Sequence, residues 1–207
     1  MPLTAKNESV LRTAVADGDT GSAIFIRLNG VNADNAGAVA GTGVTVTERG
    51  DGTFHQTIIT LTNTPVPVVD TGGANGGQGS VKVYTYPVGF IQYLGGSFNL
   101  TTAKGSGGIT ATGALVGSVG SAAAAATDAT LTGTEADQVP SSAGPLTAGA
   151  GTLKGQASLV ATAFDGHTAA LTANLNLAVP DAGIASNDTI TVNGTITLTW
   201  VNLGTYP

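Results

Sequence analysis

The sequence contains no cysteine and little charge, and both absences limit what the chain can do. Without cysteine it can form no disulfide bond and no thiolate metal site. Charged residues make up 10% of the chain, well below the roughly 25% of an ordinary globular domain. Few side chains are therefore left for acid–base chemistry, and this composition favours a structural or binding role over catalysis.

The seven lysine and arginine residues are scattered along the chain, and none follows Lys154. Because nucleic acids and anionic membrane surfaces are bound by clustered cations, we predict that the chain binds neither. No apolar run reaches the roughly 20 residues that span a bilayer, and the N-terminus lacks the apolar segment of a signal peptide. We therefore expect a soluble protein that is synthesised in the cytoplasm.

Threonine alternates with apolar residues along much of the chain, most clearly between Asp188 and Gly204. Alternation with a period of two gives a β-strand one polar and one apolar face. The Asn193-Gly194 pair inside this segment predicts a hairpin turn, because both central residues of a type I′ turn take positive φ. Similar stretches elsewhere indicate about ten strands, with turn signals at roughly 8–12-residue spacing.

These features predict an all-β fold, an antiparallel β-sandwich of jelly-roll type with long loops rich in Gly, Ala and Ser. At most one or two short helical turns are expected, one of them at 134–137 with Thr132 or Thr134 as its cap. Residues 1–22 are interpreted as an N-terminal arm or early strand, and residues 23–207 as one sandwich domain.

Turn and proline positions refine this prediction. One hairpin is expected across Gly50-Asp51-Gly52, and a long one joins 153–164 to 168–179 across Asp165-Gly166-His167. Pro65 and Pro67 are expected to end their strand or to lie at an edge, since proline cannot donate to a sheet ladder.

No combination of residues marks an active site. The segment Asp17-Gly18-Asp19-Thr20-Gly21 begins like a calcium loop but lacks the later ligands, so a solvated turn is the preferred interpretation. The two histidines, His55 and His167, each lie beside a predicted turn, and no nucleophile signature accompanies them. We therefore predict no catalytic residue, no cofactor and no metal site, and a protein that is not an enzyme.

Two groups of residues are candidates for an interface. Trp200 and Tyr206 are aromatic residues of the kind that anchor interfaces, although Trp200 on an alternating strand fits a core position better. Met1, Pro2 and Leu3 belong to the predicted arm, which could order on a neighbouring molecule.

Several segments occur in an order and spacing that resemble a known family. They are Gly43–Glu48, Gly50–Gly52, His55–Thr62, Thr127–Asp137, Pro140–Ser142, Phe164–Gly166, Val179–Ala182 and Gly194–Gly204. Together they cover about residues 40 to 204, and this stretch resembles a group of structural proteins from tailed-bacteriophage virions. The resemblance implies a β-sandwich that coats or cements an HK97-type capsid, and it implies no catalytic residues.

On this resemblance the expected function is capsid decoration, in which the protein binds the outer surface of the assembled head in the virion and stabilises it. The expected partners are the major capsid protein and further copies of the chain, as a dimer or trimer. A phage tail, fibre or receptor-binding module is the alternative. A carbohydrate-active enzyme is a third hypothesis, and the scarcity of aromatic residues argues against it, since sugars usually stack on Trp or Tyr.

Overall fold

The computed structural model describes residues 37–39, 41–50, 54–72, 76–105, 107–110, 114–124, 130–145, 151–156, 162–166, 169–180 and 183–204. Within these ranges the regular structure is antiparallel β-sheet, with one short 3-10 turn and no α-helix. The predicted all-β antiparallel fold is therefore confirmed. The proposed arm at 1–22 lies outside the described residues.

The sheet has eleven strands. They are β1 (Ala38–Val39), β2 (Val44–Gly50), β3 (Phe54–Asp70), β4 (Gly77–Thr85), β5 (Gly89–Lys104), β6 (Ala114–Gly120), β7 (Val139–Pro145), β8 (Gly151–Gln156), β9 (Thr162–Gly166), β10 (Thr172–Val179) and β11 (Asp188–Asn202).

The strands follow the order β7-β6-β10-β4-β3-β11-β5-β8, and β1, β2 and β9 add to β4, β3 and β5 respectively. The two ends of this path come together, because Ser142 Oγ in β7 donates to Lys154 O in β8 at 2.6 Å. The sheet is thus nearly closed and sandwich-like. One core joins the inner residues of β3, β5 and β11 to those of β4, β6 and β10.

Strand β11 is the centre of this architecture, because it pairs with β3 on one side and with β5 on the other. The apolar residues that alternate with polar ones along β11 are fully buried, namely Ile190, Val192, Ile196, Leu198 and Trp200. Burying each such side chain contributes about 1.5–3 kcal/mol. The alternation of threonine with apolar residues therefore gives this strand one polar and one buried apolar face, as predicted.

The predicted hairpin at Asn193-Gly194 is wrong, because β11 runs through both residues without turning. The pair forms an irregularity in the sheet instead. Val192 lies opposite Thr64 and Gly194 opposite Leu61, so β3 holds one extra residue here. Asn63 has a φ of 50°, and its N–H donates to Asn193 Oδ1 at 2.7 Å. Because the strand is continuous, the apolar residues before and after Asn193 all lie in the core. A turn at Asn193 would take the apolar residues on one side of it out of the core.

The two prolines of β3 do not end it, so that part of the prediction is wrong. Pro65 and Pro67 pair with β11 on one side. On the other side they lie between the ladder with β2, which ends at Leu61, and the ladder with β4, which begins at Val68. They therefore occupy a local edge, where a missing N–H is tolerated.

The two other hairpin predictions have opposite outcomes. Strands β2 and β3 pair as expected, from Val44 opposite Leu61 to Gly50 opposite His55. The long hairpin across Asp165-Gly166-His167 is wrong, because β8 and β9 both pair with β5 whereas β10 pairs with β4 and β6. The predicted helical turn is confirmed in substance as a 3-10 turn at Gly133–Glu135, where Glu135 Oε2 accepts from Thr132 N at 3.2 Å.

Candidate functional site

A buried group of aromatic and polar side chains surrounds Trp200. Strand pairing places Trp200 directly opposite His55, and the two rings stack with centroids 3.9 Å apart and planes 2° from parallel. Tyr86 packs edge-on against the indole at 5.3 Å, and Tyr84 packs edge-on against Tyr86 at 5.1 Å. All four side chains are buried. We call these residues, together with Thr57 and Glu48, the Trp200 cluster.

A chain of hydrogen bonds connects four strands through the Trp200 cluster. Trp200 Nε1 donates to Thr57 Oγ1 at 2.8 Å, and that hydroxyl lies 3.0 Å from both carboxylate oxygens of Glu48. The Tyr84 hydroxyl donates to the same carboxylate and accepts from Gly37 N at 2.9 Å. The half-buried Glu48 on β2 is therefore the common acceptor that ties β3 to β4.

Burial raises the pKa of the tyrosines in and beside the Trp200 cluster. Burial, and next the hydrogen bond to Glu48, raise the pKa of Tyr84 far above its ordinary value. Burial likewise raises the pKa of Tyr86 and of Tyr93. A tyrosine that acts as a base or nucleophile needs a lowered pKa. Tyr84 and Tyr86 are therefore held as neutral hydrogen-bond donors, to Glu48 and to Gln138 respectively.

A second polar group attaches Ala122, Ala124 and Glu135 to β10. Asn176 is fully buried, and its Nδ2 donates to Ala122 O at 3.0 Å and to Glu135 O at 2.8 Å. Its Oδ1 accepts from Ser80 Oγ at 2.7 Å and from Ala124 N at 3.0 Å. All four hydrogen-bonding positions of this amide are used, so a fully satisfied side chain holds the backbone at Ala122, Ala124 and Glu135.

Asp137 strengthens the same attachment. Its two oxygens accept from Ser121 N at 2.8 Å and from Ser121 Oγ at 2.5 Å. Burial raises the pKa of this carboxyl, although the hydrogen bonds from Ser121 oppose the shift. Both oxygens of Asp137 therefore hold Ser121, and burial is the cause of the raised pKa.

The other carboxylates that the structure describes also bind the chain itself. Asp188 accepts from Ile109 N at 3.2 Å and from Thr189 N at 2.7 Å, and Asp70 accepts from Gly72 N at 2.9 Å. Within the described ranges no group of three or more His, Cys, Asp or Glu side chains could hold a metal ion. The described acids thus stabilise loops and strand ends.

Of the candidate interface residues and histidines named from the sequence, Trp200 and His55 lie in the described part of the chain and the others lie outside it. Trp200 has 0% of its surface exposed, which confirms the core interpretation and leaves it no surface to offer a partner. Met1, Pro2, Leu3 and Tyr206 lie outside the described residues, as do His167 and the acidic segment 17–21. His55 is buried against Trp200.

Sequence reasoning missed the bonding partners at both polar groups. It identified neither the Glu48 connection nor the role of Asn176. The available signal was the alternation of Asn174 and Asn176 with apolar residues in β10, because a polar residue between buried neighbours needs a specific partner.

The most regular surface is the outer face of β2, β3, β11, β5 and β8. One row of side chains crosses all five strands, each directly paired with the next. The members of this row are all exposed, and they are Thr45, Thr60, Thr195, Asn99 and Lys154. We call this surface the threonine face; its row carries a single charge. No helix in the described part of the chain has the length and apolar character needed to cross a membrane.

No protein-family model, no curated protein and no solved structure matches the chain. Function therefore has to be inferred from the residues and the fold.

Proposed function

We propose that the chain is a capsid decoration protein of a tailed bacteriophage, which binds the outer surface of the assembled head and stabilises it. The order of segments between about residues 40 and 204 supports this proposal through its resemblance to virion proteins. The observation that carries it is the internal use of polar groups. The described carboxylates Glu48, Asp70, Glu135, Asp137 and Asp188 all bind the chain's own donors, while a broad, nearly uncharged threonine face remains exposed.

The physical role needs no active site. A protein that binds the assembled lattice better than free subunits stabilises the lattice by mass action. Many copies on one shell act together, so each contact can be weak. A net charge of −6 suits the outside of a head better than its DNA-lined interior. The threonine face offers hydroxyl donors and acceptors for such contacts at little electrostatic cost.

The test is the copy number of the chain in purified virions, measured by quantitative mass spectrometry against the major capsid protein. We expect a ratio near one to one or a simple fraction of it, as lattice decoration requires. A few to a few dozen copies would identify a tail, fibre or vertex component, and absence from particles would remove the virion proposal. Either result overturns the decoration function.

A pair of variants tests the surface. Thr195→Lys places a charge at the centre of the threonine face, and Ser141→Lys places one on exposed β7 in another part of the sheet. We expect Thr195→Lys to lower the occupancy of heads at least tenfold and Ser141→Lys to leave it unchanged, with equal melting temperatures. Equal occupancy for both variants would exclude the threonine face as the contact surface.

A further inference from the structure

The aromatic side chains of the Trp200 cluster form a continuous path from the indole to one phenol. Tyr86 contacts Trp200 edge-on with ring centroids 5.3 Å apart, and Tyr84 contacts Tyr86 in the same way at 5.1 Å. All three side chains are buried in the core. Because rings at these separations are in direct contact, an electron passes readily from one to the next. An electron removed from Trp200 can therefore be replaced from Tyr84.

A base lies at the far end of this path. Loss of an electron from a buried phenol leaves a positive charge in the core, which is costly unless the phenol also loses its proton. The Tyr84 hydroxyl donates to the Glu48 carboxylate, so a proton acceptor is already in hydrogen-bond contact with it. The Gly37 N–H donates to the same phenol oxygen at 2.9 Å, and this bond strengthens when the proton leaves.

The other two rings of the path donate to weaker bases. The Tyr86 hydroxyl donates to the amide oxygen of Gln138 at 3.2 Å, and the indole N–H of Trp200 donates to the Thr57 hydroxyl at 2.8 Å. Neutral amide and hydroxyl oxygens hold a proton less tightly than a carboxylate does. A proton from the indole reaches the carboxylate only by a second transfer through that hydroxyl. Loss of an electron together with a proton is therefore easiest at Tyr84.

We propose that Tyr84 is a redox site, at which a one-electron oxidation of Trp200 ends as a tyrosyl radical. The oxidant is an oxidising radical, or light with dissolved oxygen as the electron acceptor, and it removes one electron from the indole. One electron then passes from Tyr84 through Tyr86 to the indole radical cation. The O–H bond of Tyr84 breaks, and its proton forms a new O–H bond on Glu48. The products are a restored Trp200, a neutral Tyr84 radical and a protonated Glu48. This role goes beyond the capsid function and does not depend on it.

Laser flash photolysis tests this assignment on the full chain. The sequence has one tryptophan, so a wavelength that tyrosine does not absorb ionises that indole alone, and dissolved oxygen captures the ejected electron. We expect the absorption of the Trp200 radical to decay at the rate at which a tyrosyl absorption rises. Tyr84→Phe should prolong the Trp200 radical about tenfold or more, because the phenol with a carboxylate partner is gone. Tyr93→Phe is the matched control and should keep the wild-type rate, since Tyr93 is also buried and lies directly opposite Trp200.

Two further measurements test the part played by Glu48. Glu48→Gln keeps an acceptor oxygen beside Tyr84 and removes the base, so the transfer should slow about tenfold or more, with the near-ultraviolet circular dichroism of the wild type retained. In the unaltered chain, which carries no folding risk, the transfer should be slower in deuterium oxide, because a proton moves with the electron. Equal rates in the two solvents overturn the proposal. Wild-type decay in Tyr84→Phe or Glu48→Gln, or loss of the transfer in Tyr93→Phe, also overturns it.

Discussion

Trp200 in β11 donates its indole N–H to Thr57 in β3 at 2.8 Å, and this bond lies inside the core. Thr57 is fully buried and also reaches the Glu48 carboxylate at 3.0 Å. One hydroxyl therefore satisfies the indole and relays a hydrogen bond to a charged group on a third strand. Removal of a shared partner leaves a buried donor and part of a carboxylate unsatisfied, which costs more than the bond itself contributes.

The first prediction follows from this relay. Thr57→Val keeps the shape of the side chain and removes the hydroxyl, so we expect a loss of about 2–3 kcal/mol in the free energy of unfolding. Thr60→Val, on the same strand but exposed, is expected to change it by less than about 0.5 kcal/mol. Urea unfolding of both variants measures the difference. Similar values for the two would show that the relay adds no stability.

The second prediction concerns the attachment of Ala122, Ala124 and Glu135 by Asn176. Asn176→Ala removes four hydrogen bonds from a fully buried site, and we expect a loss of about 3 kcal/mol or more. Hydrogen exchange at Ala124 N–H should accelerate beyond the change in global stability, because that amide donates to Asn176 Oδ1. Asn99→Ala, at an exposed position, is the matched control. Unchanged protection of Ala124 relative to the global value would contradict the assignment.

The sequence predicts strands well where one face alone is buried. In β11 the period of two is strong enough to identify Ile196, Leu198 and Trp200 as core residues, and burial confirms them. The turn at Asn193-Gly194 fails because the same residues that favour a hairpin also tolerate an irregular pairing in a long strand. Local sequence does not distinguish these outcomes, since the deciding contacts come from Asn63 on β3 and from pairing with β5.

The polar groups are harder to predict, because their partners are distant in sequence. Trp200 and Thr57 are separated by 143 positions, and Asn176 and Ser80 by 96. Composition shows that such residues are present, but only the strand order places them together. The same limit applies to β9, whose partner is β5 and not the adjacent β10. Pairing between distant strands is therefore the part of the fold that sequence patterns leave open.

The third prediction is a pH dependence from Asp137. Burial raises the pKa of this carboxyl above its ordinary value of 3.8. The folded chain thus holds the proton to higher pH than the unfolded chain. The stability that this group contributes is fully present below the unfolded pKa and is lost as the pH rises through the folded pKa. Asp137→Asn should therefore gain stability relative to the wild type as the pH rises above 3.8.

Two measurements separate this effect from general charge changes. Carbon-13 NMR of the Asp137 carboxyl follows its titration directly and should give a midpoint above 3.8. Ser121→Ala removes a hydrogen bond that favours the ionised form, so the midpoint should rise further. A midpoint that stays in place in Ser121→Ala, or a stability difference between Asp137→Asn and wild type that does not vary with pH, contradicts the prediction.

The fourth prediction tests why glycine follows Asn193. Gly194 has a φ of 131°, and a Cβ there would lie 2.2 Å from Asn99 O on β5. Gly194→Ala therefore combines backbone strain with a clash against a neighbouring strand, and we expect a loss of about 3 kcal/mol or more. Gly72 also has a positive φ, 74°, but no atom lies within 4 Å of the position of its Cβ. Gly72→Ala should cost only the strain, about 1 kcal/mol.

Thermal and urea unfolding of the two variants compare the cost of clash plus strain with the cost of strain alone. Equal losses would mean that β11 and β5 separate easily at this point, which is incompatible with a continuous central strand.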